Sequence, residues 1–114
     1  MKIDLLSFLK VDAESLLRRL LNEKNIRLSV CRNDAEKIDV QDRDEIINAF
    51  EAIRDIVVDT DSFIPASEGK MSAYIFTFAG DEDYCFCFCN DGLLYRNQIY
   101  EIAGYEKLKD LFFV

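Results

Sequence analysis

The chain has no histidine, one proline and only four scattered glycines among its 114 residues. Without histidine it lacks the side chain that ordinarily exchanges protons near pH 7. So few glycines leave no Gly-rich phosphate loop, and no GxSxG elbow occurs. The four cysteines include no CxxC pair. No apolar run approaches the ~18 residues needed to cross a bilayer. No tract rich in Pro, Gly or Ser marks a linker, and no internal repeat or low-complexity segment is present. The opening MKIDLLSFLKVD does not fit a secretory signal, because Asp4 and Lys10 interrupt its apolar stretch and no small-residue cleavage site follows. These absences lead to the expectation of a cytoplasmic, non-enzymatic protein with no catalytic residue and no cofactor, whose cysteines stay reduced.

What remains is ample for a fold. Half the residues are apolar and 12% are aromatic, and a chain of this length buries roughly two-thirds of its unfolded surface. A single domain over residues 1–114 is expected. The net charge is −8, which argues against direct contact with nucleic acid or with an anionic membrane. The charge is unevenly spread. Residues 1–33 carry 7 bases against 4 acids, whereas residues 34–61 carry 10 acids against 3 bases.

Apolar periodicity predicts an α+β fold. Residues 5–24 read as helix broken near Val11, with Asp12 as N-cap and Leu16, Leu17, Leu20 and Leu21 facing inward. "IRLSVCR" alternates as a half-buried strand, and Lys37–Val40 pairs with it across an Asn33-Asp34 turn. A second helix over 43–57 opens on a capping box, Asp42 with Glu45. Its apolar stripe Ile46, Phe50, Ile53, Val57 lies opposite Asp44, Asn48, Glu51 and Asp55. The 13 residues from Asp59 read as irregular. "SAYIFTF", "YCFCFC" and "LLYRNQIYEI" then form an antiparallel meander with turns at Gly80-Asp81 and Asp91-Gly92, and "YEKLKDLFF" closes the chain as a short helix. The sum is an antiparallel sheet of four to five strands packed with two main amphipathic helices.

Cys85, Cys87 and Cys89 alternate with aromatic residues. On an extended strand their side chains share one face at intervals near ~7 Å, whereas tetrahedral zinc needs sulfurs about 3.8 Å apart. No metal site is therefore expected there. Both "SAYIFTF" and "YCFCFC" carry an aromatic face (Tyr74, Phe76, Phe78; Tyr84, Phe86, Phe88) and a face of smaller residues. The small face is expected to let a helix approach closely. The aromatic face is either covered by a second helix, the favoured arrangement, or left as a surface through which a homodimer forms. For the aromatic rows to coincide, opposed residues must sum to an even number, and 162 sets Phe78 against Tyr84, Phe76 against Phe86 and Tyr74 against Phe88. That register requires an odd connection of three or five residues with Gly80 in the left-handed region.

"IVVDTDSF", residues 56–63, resembles the first motif of haloacid-dehalogenase-type phosphatases, which would make Asp59 the nucleophile and Asp61 the acid/base. Ser62-Phe63 departs from the spacing of the motif's closing Thr or Val, the preceding segment reads as helix, and the chain is too short for such an enzyme. Asp59 and Asp61 are read instead as solvated loop carboxylates. With Asp44, Glu51 and Asp55 they form an acidic stripe. On a helix Glu51 and Asp55 rise about 6 Å along the axis, similar to the phosphate spacing of a nucleic-acid strand. The expected function is a protein-binding module that engages a basic partner, for example a nucleic-acid-binding protein. In size and charge it is similar to anti-CRISPR, restriction-inhibiting and immunity proteins. The alternative is an oligomerising domain that uses the aromatic sheet face.

Overall fold

The computed structural model describes residues 1–33, 36–66 and 73–112. Among them a single antiparallel sheet carries four α-helices on one face. The strands are β1 (Lys2–Asp4), β2 (Leu28–Arg32), β3 (Glu36–Val40), β4 (Val57–Pro65), β5 (Ala73–Phe78), β6 (Cys85–Cys89), β7 (Gly92–Tyr95) and β8 (Gln98–Ala103). The helices are α1 (Leu5–Phe8), α2 (Ala13–Asn22), α3 (Arg43–Arg54) and α4 (Tyr105–Phe112). Across the sheet the strands run β1-β4-β8-β7-β6-β5-β2-β3. The α+β class is as expected, but the sheet has eight strands rather than four to five.

The extra strands have distinct origins. Residues Val57–Pro65, expected partly as helix end and partly as irregular chain, form β4. Helix α3 stops at Arg54 because the chain tightens there, Ile56 N–H donating to Ile53 O at 3.1 Å, and the β-branched Val57 and Val58 then extend. "LLYRNQIYEI" is a hairpin, with Tyr95 opposite Gln98 and both turn residues, Arg96 and Asn97, at positive φ. Positive φ at both central positions matches the twist of the flanking strands. Strand β1 is three residues long and pairs with Val57–Asp59.

The break in the first helical segment falls where expected, with Lys10 at φ 59° and Asp12 accepting from the Glu14 and Ser15 amides. The capping box of α3 does not form. Asp42 has the extended backbone of an N-cap, but its side chain accepts no capping hydrogen bond. Asp42 is exposed, so water can serve the first amides. The turn after β6 is centred on Asn90 and Asp91, both at positive φ, one residue earlier than expected, and Gly92 belongs to β7. Asp34, residues 67–72 and Phe113, which fall in the expected Asn33-Asp34 turn, irregular stretch, first meander strand and last helix, lie outside the described residues.

The register of β5 and β6 sums to 162, with Tyr74 opposite Phe88, Phe76 opposite Phe86 and Thr77 opposite Cys85. Gly80 takes φ 63°. The connection is longer than three or five residues, because Ala79 also turns left-handed and a 3-10 turn, Glu82–Tyr84, intervenes. The expected Phe78–Tyr84 pair does not form: the ladder ends at Thr77 and Cys85, and Tyr84 belongs to that turn.

The two-faced strands therefore exist, and the aromatic face is covered by helices, the favoured arrangement; all four described helices lie on that side. Phe76, Phe78, Phe86 and Phe88 share one buried cluster with Leu5, Leu16, Leu20, Ile46, Phe50, Ile53 and Leu108. Phe88 stacks on Tyr105 at 4.7 Å, Phe76 meets Phe112 at 5.7 Å, and Phe8 sits edge-on between Tyr95 and Tyr100. Helix cover over the cysteine face is corrected: Cys85 and Cys87 are half-buried and alternate with the core row. The physical reason is area. Covering phenyl rings removes far more apolar surface from water than covering Ala and Cys side chains. The aromatic face is thus unavailable for a homodimer.

Candidate functional site

Helix α3 presents the acidic residues. Ile46, Ala49, Phe50, Ala52 and Ile53 are buried, so Asp44, Glu51 and Asp55 share the outward side, all exposed. Arg43, at the start of the helix, does not dilute this surface. Its guanidinium donates to the Leu21 carbonyl at 2.9 Å and to the Glu23 carbonyl, closing the C-terminal end of α2. Glu51 lies 3.4 Å from Arg54 and Asp55 lies 3.6 Å from Lys107. Their side chains are 50% and 60% exposed, so these pairs are weak and open to exchange with cations of another molecule. Asp44 has no ion pair among the described residues.

Asp59 and Asp61 do not continue the stripe. Val58 is buried toward the helices, so Asp59, the next residue on a regularly paired stretch with β1, points to the opposite side of the sheet. Both carboxylates meet the Met1 amino group, Asp59 at 3.9 Å and Asp61 in a direct hydrogen bond. The Asp61 carboxylate raises the pKa of that amine above its ordinary value. The expected loop that would have joined these residues to α3 is strand β4.

No described group of three or more carboxylate or thiol residues is arranged to hold a metal ion. Cys85 Sγ accepts from Thr77 Oγ1 at 3.6 Å, and burial pushes the Cys89 thiol upward. An open cleft of about 260 Å³ over β4, β7 and β8 includes Ser62 and Glu101. There Ser62 Oγ donates to Glu101 Oε2 at 2.7 Å.

The strongest electrostatic constellation is one that the charge pattern did not single out. Arg19 donates from Nε to Glu23 at 2.7 Å and from Nη1 to Asp81 at 2.8 Å. Its guanidinium carbon lies 5.5 Å from the Tyr84 ring centre. The two carboxylates hold the Arg19 pKa above its already high ordinary value. The i,i+4 spacing of Arg19 and Glu23 is visible in the sequence; the contact with Asp81, 62 positions away, is not. Through its bond to Asp81, this group ties the β5–β6 connection to α2. No described helix is long and apolar enough to cross a membrane. Compared with known proteins, the chain matches no family model, no curated protein and no solved structure.

Proposed function

We propose that the chain is a non-enzymatic protein-binding module whose outward α3 surface, Asp44, Glu51 and Asp55, engages a basic partner protein. The observation that carries this reading is that the three carboxylates face solvent together while Arg43 is consumed by the end of α2. A surface of this kind complements a positive groove and accelerates encounter at low ionic strength. The partner class that fits is a nucleic-acid-binding protein whose groove accepts carboxylates in place of phosphates, which would make the module an inhibitor comparable to anti-CRISPR or immunity proteins. Asp59 and Asp61, turned to the other side and occupied by the Met1 amine, lie outside this patch.

The test is capture of partners from the native host by wild type and by the E51K/D55K variant, each at low and at high salt. The expected result is a basic protein retained by wild type at low salt, released as salt rises and absent from the variant, with the melting temperature of the two forms nearly equal. The same partner retained equally by both, indifferent to salt, would sink the reading.

A further inference from the structure

The two edges of the sheet differ. One is β1, only three residues long, and the other is β3, whose five residues Glu36–Val40 have, among the described residues, a strand neighbour, β2, on one side only. Glu36, Lys37, Ile38 and Asp39 are all exposed. A full-length edge strand leaves a row of backbone donors and acceptors open to another strand. We propose that β3 is a self-association edge, where two copies pair their β3 strands antiparallel about a two-fold axis through Ile38.

The register follows from charge. Residues 37 and 39 point to the side away from the helices, and Lys37 Nζ already lies 3.9 Å from Asp39 in its own chain. With the axis at Ile38, Lys37 of each copy opposes Asp39 of the other, and Ile38 opposes Ile38. Opposite charges at directly facing positions stabilise a strand pair. Moving the axis to Lys37 sets lysine against lysine, and moving it to Asp39 sets aspartate against aspartate. A shift that places the axis between residues turns every side chain to the wrong face. The Ile38 register is the one arrangement near the strand centre without a like-charge pair. A lysine on an edge usually discourages pairing; here Asp39 supplies its counter-charge.

Apolar surface supports the same geometry. Ile38 is 45% exposed and, opposite Val30 in the register, lies on the helix side. Ile38 itself, with Val40, Leu111 and Phe112 and the polar Glu45 and Asn48, lines a cleft of about 330 Å³, with Leu111 46% exposed. The Ile38 of a second copy enters next to this cleft and covers part of it.

Sedimentation of the full chain tests the proposal. Wild type is expected to dimerise. Lys37→Asp and Asp39→Lys should each weaken the dimer about tenfold or more, since each converts two favourable pairs to like-charge pairs. The K37D/D39K exchange should restore it. Circular dichroism and melting of each variant confirm the fold, and E51K/D55K should dimerise like wild type, which separates this proposal from the α3 reading. A wild type that stays monomeric at high concentration would overturn the proposal. So would a dimer indifferent to both single reversals, which would place the contact elsewhere, such as the cysteine-bearing sheet face, or an exchange variant that remains monomeric.

Discussion

Tyr105 buries a hydroxyl for which no described group provides a hydrogen-bond partner. It opens α4, and its ring stacks on Phe88 in the core. Burial drives its phenol pKa above the ordinary value, because a charged oxygen there would be worse off than a neutral one. An unpaired buried polar group costs roughly 1–3 kcal/mol. Tyr105→Phe keeps the ring and removes the liability, so thermal or urea unfolding should show the variant equal to or more stable than wild type by about 1 kcal/mol. A clear loss of stability would mean that the hydroxyl is served by a bound water. Gly92 shows the opposite kind of constraint. A Cβ there would lie 2.6 Å from Ile99 Cγ2 and 2.8 Å from the Tyr100 carbonyl, so the β7–β8 pairing needs a residue without one.

Among the elements, α1 and α2 begin on aspartates that titrate. Hydrogen bonds from Ser7 hold Asp4 below the usual carboxylate range, and those from Ser15 do the same for Asp12. A carboxyl whose folded pKa is lowered contributes stability that is fully present above the unfolded value near ~3.9. That stability is lost as pH falls through the folded one. The melting temperature should therefore fall most steeply below about pH 4. The D4N/D12N variant, which keeps capping acceptors but cannot titrate, should show a shallower fall in a melting series from pH 7 to 3. An unchanged acid slope would remove the caps as its cause. Asp12 was legible because a capping residue and the leucine spacing that follows it are both local. The register of β5 and β6 was legible because two alternating faces permit only even sums. Strand β4 was not, since Val57 completes the helical stripe Ile46, Phe50, Ile53 and the acids that follow resemble a loop. The β7–β8 turn was hidden because Arg96-Asn97 reaches positive φ without glycine. Helix cover of the aromatic face was legible as the favoured arrangement, whereas the lack of a described helix on the small face was hidden, since both faces are apolar and only the amount of surface removed decides. The candidate site divides along the same line: α3 carries its three acids outward as its periodicity required, while Asp59 turned away once its segment became a strand.

At the scale of the whole molecule, the sheet is assembled from chain segments that are far apart. Strand β1 pairs with residues 57–59 and β4 with residues 98–103. Such long-range pairing places refolding in the millisecond-to-second range rather than in microseconds, which stopped-flow fluorescence of the tyrosines can measure; a microsecond phase carrying the full amplitude would contradict it. Strand β8 lies between β4 and β7, so it is the only described strand joining the β1–β4 pair to the other five. During synthesis β4 ends at residue 65 and β8 at residue 103. At ~5–20 residues per second, a newly made β4 waits about 2 to 8 s for that neighbour to emerge. The nascent chain therefore passes through an interval with two unsealed sheet edges, and its yield in the cell should depend on what shields them until translation is nearly complete.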